Sequence, residues 1–415
     1  MKEDWKKSFN ILMLAEFIAI AGFATSTPIV PLYLKEIGVS DPAALNWWTG
    51  LITSSSSLAL AVFAPIWGSL ADSYGRKLML LRAMIGGCVL MGLLSLANSP
   101  WQILLLRTLQ GCVTGTVAAA TVMTASIVPQ KEIGYRLGLL QMAVFLGNSV
   151  GPLFGGVITD YLGSRVNFLA TSVLLAAAAL LVARGVMEKF EPKPRTGSIL
   201  KNAVPDFSII AKNSSLASLF LVIFAVQLAS AVVAPILPLI VMDMRGADAT
   251  GVGSLSGLII GASSIAGAIA AALIGKVSMR VGYGRTLFIC IMGALAFYLP
   301  QGFVRTPYEL LALRIGSGIF LGGTMPSVNA LIASLCDKNK QGSTYGLSSS
   351  VSSMGMAVGP ALGALVANAA GYPAVFFTTS AVLGLTGIAV GKAVRVKKAK
   401  AIEALVESAS NGTKP

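Results

Sequence analysis

The sequence contains no histidine, so chemistry built on imidazole, as base or as metal ligand, is excluded. Charge is scarce: 12% of the 415 residues carry it, whereas a soluble domain of this size uses about 25% to coat its surface. The four cysteines (Cys88, Cys112, Cys290, Cys336) lie scattered in or beside apolar stretches. That spacing excludes a disulfide framework, and packing rather than metal binding is the expected use. There is no Walker-type phosphate loop and no nucleophile–base set, so neither ATP hydrolysis nor another enzymatic activity is expected, and no cofactor is implied. What is abundant is apolar residues, at 55%. That excludes a disordered chain and points to lipid as the main solvent.

A membrane helix needs roughly 20 apolar residues to cross ~30 Å of hydrocarbon. Twelve stretches qualify: 8–34, 45–70, 78–98, 101–127, 135–161, 166–187, 214–242, 252–277, 284–303, 307–335, 342–369 and 372–392. They are too long and too evenly apolar for barrel strands, which alternate over ~10 residues. The segments between them alternate in charge. With the N-terminus inside, the inner segments hold 25 lysines and arginines and the outer loops four: Lys35, Arg165, Arg245 and Arg305. Lysine and arginine gather on the cytoplasmic side of membrane proteins, so both termini are expected in the cytoplasm. The formal net charge of +14 is mostly this asymmetry. It is spread over seven segments, which suits anionic lipid headgroups and not nucleic acid. The run after Lys7 is too long for a cleaved signal sequence and is expected to be the first span.

The chain also repeats itself. Pro28-Ile-Val-Pro31 recurs as Pro235-Ile-Leu-Pro238; Gly68, Gly75, Pro100, Arg107 and Gly111 recur as Gly275, Gly282, Pro307, Arg314 and Gly318, all 207 residues on. Gly147, Gly151, Pro152 and Gly155 recur 208 residues on as Gly355, Gly359, Pro360 and Gly363. The expected architecture is therefore an all-α integral membrane protein with twelve transmembrane helices, built as two parallel six-helix repeats (1–187 and 214–392). A charged, proline-containing linker (188–213) joins them, and a basic tail (393–415) follows. Repeats of this kind place a substrate site between the halves near the membrane midplane.

Three motifs carry chemistry. Between spans two and three stands Gly68-Ser-Leu-Ala-Asp72-Ser-Tyr-Gly75-Arg76-Lys77, a tight reversal in which Asp72 can pair with a base or a helix N-terminus. Its second copy has Met279 in place of the acid. In span four stands Arg107-Thr-Leu-Gln110-Gly111, with Arg314 as its repeat partner in span ten. An arginine in hydrocarbon must be paired, hydrated or snorkelling, and both lie ~10 Å from the outer edge, where snorkelling is open to them. In span five stands Gly147-Asn-Ser-Val-Gly151-Pro152-Leu-Phe-Gly155-Gly156, where glycines four apart allow close helix approach and the proline allows a bend.

Together with Gly22-x5-Pro28-Ile-Val-Pro31 in span one, these motifs resemble the signatures of the major facilitator superfamily. Within it they resemble those of the twelve-span drug:H+ antiporters, and the stretches Leu45-Asn-Trp-Trp-Thr-Gly50 and Trp67 to Arg82 resemble multidrug transporters of the MdtG type. The resemblance implies the major facilitator fold and proton-coupled export of small lipophilic compounds by alternating access. It also implies that Asp72 and its loop gate the cytoplasmic side, that Arg107 serves proton coupling, and that the span-five motif marks an antiporter. Of 17 acids, only Glu16 lies well inside a span. A carboxyl removed from water there is a candidate for carrying the proton or attracting a lipophilic cation; the alternative is an acid hydrated from the near interface. By depth Glu16 and Arg107 are not expected to pair. Gln141, Gln227 and Asn329 are candidates for lining the cavity, and Phe23 and Phe145 for its apolar wall. The expected partners are membrane lipid, a small lipophilic substrate and protons, with no nucleic acid and no ATP, in a monomer at the inner membrane. The second reading is exchange of one anionic metabolite held by Arg107 and Arg314.

Overall fold

The computed structural model describes residues 4–129, 132–188, 214–246, 250–335 and 341–411. Every regular element among them is helical. The reason is solvation: lipid offers backbone N–H and C=O groups no partner, and a helix satisfies them internally.

The N-terminal half runs α1 (Asp4–Thr25), a 3-10 turn (Thr27–Ile29), α2 (Val30–Glu36), α3 (Pro42–Tyr74), α4 (Arg76–Leu94), α5 (Pro100–Val113), α6 (Thr116–Ile127), α7 (Ile133–Leu162) and α8 (Ser164–Gly185). The C-terminal half runs α9 (Ser214–Val233), a 3-10 turn (Ala234–Ile236), α10 (Leu237–Arg245), α11 (Val252–Val281), α12 (Tyr283–Gln301), α13 (Pro307–Gly322), α14 (Thr324–Leu335) and α15 (Gln341–Asn411). Helix α15 is broken at Gly371, whose φ is 79°, so it carries two spans. Spans one, four, seven and ten are each broken into two pieces. Counted this way the chain has twelve spans, as expected.

The sequence repeat is a structural repeat down to its irregularities. The 3-10 turns sit 207 residues apart and begin one residue before Pro28 and Pro235, where proline withholds an N–H from the helix ladder. Span three begins after Gly75 at φ 100°, and span nine after Gly282 at φ 94°. Span six begins after Gly163 at φ 84°, and span twelve after Gly371 at φ 79°. Only glycine adopts such angles freely, which is why these positions are glycine in both copies.

Each half has its own apolar core. One is built around Leu12, Tyr33, Leu80, Met84 and Phe168, the other around Val232, Ile240, Ile291, Tyr298 and Phe376. Tyr33 is fully buried and donates from its hydroxyl to the carbonyls of Leu94 (3.0 Å) and Ala97 (2.6 Å), tying span one to the end of span three.

One end of the bundle carries Asp4, Gly75, Glu188, Ser214 and Gly282 and is called the near end here; the far end carries Gly38, Ser99, Gly163, Gly246, Thr306 and Gly371. The halves meet through two symmetric helix pairs, α7 with α11 and α3 with α15. A Cβ on Gly257 would collide with the carbonyl of Pro152, and one on Gly50 would stand 2.8 Å from that of Pro360. These two contacts are copies of each other. They lie toward the far end, and the same helix rows followed toward the near end carry exposed Leu58 and Val62 on α3, Phe145 and Met142 on α7, and Ile265 and Ile269 on α11. Among the described residues the halves touch at the far end and part toward the near end.

Candidate functional site

Helix α5 is started by Ser99, whose hydroxyl accepts from the Gln102 N–H, and by Pro100 at its first position. Two turns later Arg107 is buried. Its Nη2 donates to the Ser26 carbonyl (3.0 Å) and its Nη1 to Gln110 Oε1 (3.1 Å), and the guanidinium lies 5.6 Å from the Phe168 ring centre. Ser26 stands at the break in span one, where its carbonyl receives only a long 3.4 Å bond from the Ile29 N–H. The arginine supplies what the broken helix lacks. Arg314 is equally buried, but its Nη1 donates to the Tyr298 hydroxyl (3.0 Å) of α12. The two arginines therefore occupy the same place in the repeat and brace different helices. Neither snorkels, and among the described residues neither has a carboxylate within ion-pair distance. Each keeps a buried Nε–H without a partner.

Glu16 has no exposed surface, and neither of its carboxylate oxygens has a hydrogen-bond partner. The Thr116 hydroxyl at the start of α6 faces it without reaching hydrogen-bond geometry. Glu16 is thus sealed inside the N-terminal bundle, not hydrated from the near interface. Among the described residues no hydrogen bond or ion pair joins it to Arg107.

The loop motif turns at Gly75. The backbone of Gly68 and Asp72 belongs to the last turns of α3; their surroundings and the Asp72 side chain lie outside the described residues. What the sequence did not single out is the acid that binds this turn. Glu188, the first residue of the linker, accepts from the Arg76 N–H through Oε1 (3.0 Å) and from the Lys77 N–H through Oε2 (2.9 Å), and Lys77 Nζ donates to the Ala183 carbonyl. A carboxylate there caps α4 and meets the positive end of its dipole.

The span-five motif divides its labour between two faces. Gly147, Gly151 and Gly155 lie against span one, where a Cβ would meet backbone of Ala21 and Thr25. Gly156 lies against Gly253 of α11 in the other half, and a Cβ on it would collide with the Gly253 carbonyl. Pro152 is buried on the same face. One face of the motif therefore packs its own half, and the other lies at the contact between the halves.

The cavity candidates do not converge. Gln141 is exposed on α7 close to Phe145, on the arc between the α1 and α11 faces. Gln227 donates to Ser352 Oγ (2.8 Å) within the C-terminal half. Asn329 is exposed on α14. Phe23 is half-buried with its ring edge over Gly87 of α4, so it packs within the N-terminal bundle.

A bundle of twelve spans in two symmetric halves, closed at one end by glycine seams and carrying buried charge, defines a polytopic transporter of alternating-access design. The model of the Major Facilitator Superfamily matches residues 12–226 and again 219–410. The chain belongs to that superfamily and is a multi-pass membrane protein. It is 33% identical over 97% of its length to a protein named multidrug resistance protein MdtG from Enterobacter lignolyticus, covering 95% of that protein. It is 34% identical to the protein of the same name from Yersinia enterocolitica, over 92% of this chain and 91% of that one. Among solved structures, a point mutant of the nucleoside transporter NupG has the same fold at a TM-score of 0.79, 13% identity, covering 92% of this chain and 99% of that one. A bacterial homologue of the lysosomal transporter Spinster has it at 0.75 and 15% identity, covering 95% and 98%.

Proposed function

We propose that the chain exports small lipophilic compounds across the inner membrane in exchange for protons. The observation that carries this is the likeness, over almost the whole of both chains, to proteins named for multidrug resistance. The near end faces the cytoplasm, in keeping with the 25 basic residues on that side. The state described is then the inward-facing one, with the far end shut. Residues 1–187 and 214–392 rock against each other as halves, 188–213 tether them, and 393–415 serve as a basic cytoplasmic tail that attracts anionic lipid. The protein works as a monomer. Glu16 carries the proton, Arg107 holds the first span at its break, and Arg314 braces span nine in the second half. The Gly68–Lys77 turn gates the cytoplasmic side. Of the cavity candidates, exposed Gln141 and Phe145 on α7 face the substrate from the N-terminal half and exposed Asn329 from the other, without meeting at one point.

Exchange of an anionic metabolite on Arg107 and Arg314 is not favoured, because each guanidinium is turned to an oxygen of its own half. The test is ethidium or Hoechst efflux in cells stripped of their own pumps, with and without an uncoupler. Export that the uncoupler stops is expected; no export from correctly inserted protein overturns the reading.

A further inference from the structure

Helix α11 begins without a cap of its own. Its first flanking residue is Gly251 at φ 70°, and no side chain of its own segment accepts from its first N–H groups. Such groups need acceptors, above all at a membrane boundary. By contrast α13 carries a complete capping box of Thr306 and Glu309. The acceptor for α11 comes from the other half. Asp160, one turn beyond Gly156 on α7, receives the Gly253 N–H on Oδ1 (2.9 Å) and the Ser254 N–H on Oδ2 (2.6 Å).

The repeat partner of Asp160 is Asn368, 208 residues on, and it does the matching thing. Its Oδ1 receives Asn46 Nδ2 (2.8 Å) and its own Nδ2 donates to the Ala43 carbonyl (3.0 Å), so it fastens α15 to the start of α3. Asn46 is in turn the repeat partner of Gly253. Two side chains related by the pseudo-two-fold axis thus each reach from one half to the first turn of a helix in the other. One is charged and accepts twice; the other is neutral and both accepts and donates.

We propose that Asp160 and Asn368 are paired latches that hold the far end shut, and that the charged one, which caps α11, is the stronger. This rests on the reading that the halves rock. The glycine seams set how near the helices come, but they work through shape alone. The latches add directed hydrogen bonds between the halves, which parting of the far end must break, so their loss shifts the balance toward opening there. A charge-assisted cap is worth more than a neutral pair. Asp160→Ala is therefore expected to raise the far-end-open to closed ratio by roughly ten-fold or more, Asn368→Ala by less, and the double variant by more than either.

The experiment is electron–electron resonance between nitroxides on Leu96→Cys and Phe303→Cys in the full chain, with the native cysteines replaced. These residues are exposed far-end positions 207 apart in the repeat, one in each half and away from both latches. A longer-distance population is expected in Asp160→Ala over its labelled parent. Distributions superposing in Asp160→Ala and the double variant overturn the proposal. Should Asp160→Ala not fold, the isosteric Asp160→Asn, which puts a donor where the Ser254 N–H needs an acceptor, decides alone. A shift there supports the latch and no shift overturns it. Dye efflux of the parent is scored separately. Variants that shift as expected from a parent that exports nothing keep the latch and lose the export reading; a parent that exports while the variants do not shift does the reverse.

Discussion

A carboxyl group with no exposed surface and no hydrogen-bond partner is unfavourable where it stands, by ~1–3 kcal/mol even when neutral. Glu16 is such a group. On the proposed reading that cost is kept for carrying the proton and not for the fold. Glu16→Leu is expected to raise the thermal midpoint of the purified protein while abolishing uncoupler-sensitive dye export. A variant that melts lower and still exports would remove Glu16 from the mechanism. Arg107 is the opposite case, with two of its donors placed on named acceptors. Arg107→Ala leaves the Ser26 carbonyl and the Gln110 amide oxygen in an apolar surround, a loss of ~1.5–3 kcal/mol. Arg107→Lys can reach one acceptor but not both, because it lacks the planar fork. The expected order of melting temperatures is parent, Lys, Ala. An Ala variant as stable as the parent would show that the break at Pro28 needs no brace.

At the scale of elements, a recurring device is the glycine that starts a helix and leaves its cap to a distant acid. Gly75 opens α4, which Glu188 caps; Gly163 opens α8, where Glu36 accepts the Ser164 N–H; Gly251 opens α11, which Asp160 caps. A positive φ allows a sharp reversal but brings no side chain to close the helix, so the acceptor must be imported. Only the last of these crosses between the halves. Glu188→Ala is expected to loosen the first turn of α4, and amide hydrogen exchange at residues 76–79 should rise ten-fold or more relative to the parent. Unchanged protection would mean that water caps that turn equally well. The spans, their number and the repeat were legible because each is written in apolar length or in constant spacing. The span-five motif was legible because glycines four apart declare a close approach, though not that Gly156 would serve the opposite half from Gly151. The caps were not legible. Glu36, Asp160 and Glu188 are ordinary end-of-helix acids in sequence, and only the fold brings them to N-termini between 90 and 130 residues away. Burial of Arg107 was hidden for a similar reason. Depth along a helix is read by counting, but which way a long side chain turns depends on the carbonyl freed by a break in another helix.

For the whole molecule, the two seams are copies of one another, so both halves must yield together when the far end opens. Gly156 meets Gly253 across the first seam and Gly50 meets Pro360 and Ala364 across the second. A side chain at either glycine pushes against backbone, which cannot swing aside, and so opposes closure of the far end without touching either half's core. Gly156→Val and Gly50→Val are therefore expected to leave insertion and melting of the separate cores nearly intact. Both should trap the protein open at the far end and cut dye export at least ten-fold. The glycines on the other faces give the contrast. Gly363 packs on Val232 within the C-terminal half, and a side chain there disrupts a single core. Gly363→Val is expected to lower the melting temperature and the amount of inserted protein together. Labelling with a membrane-impermeant maleimide at Leu96→Cys reads the same division and the orientation at once. The position is accessible from outside if the near end is cytoplasmic. Distances from Leu96 to Phe303 should lengthen in Gly156→Val and Gly50→Val but not in Gly363→Val. If all three variants behaved alike, the distinction between seam and core would fail, and with it the reading of the far end as the gate that alternates.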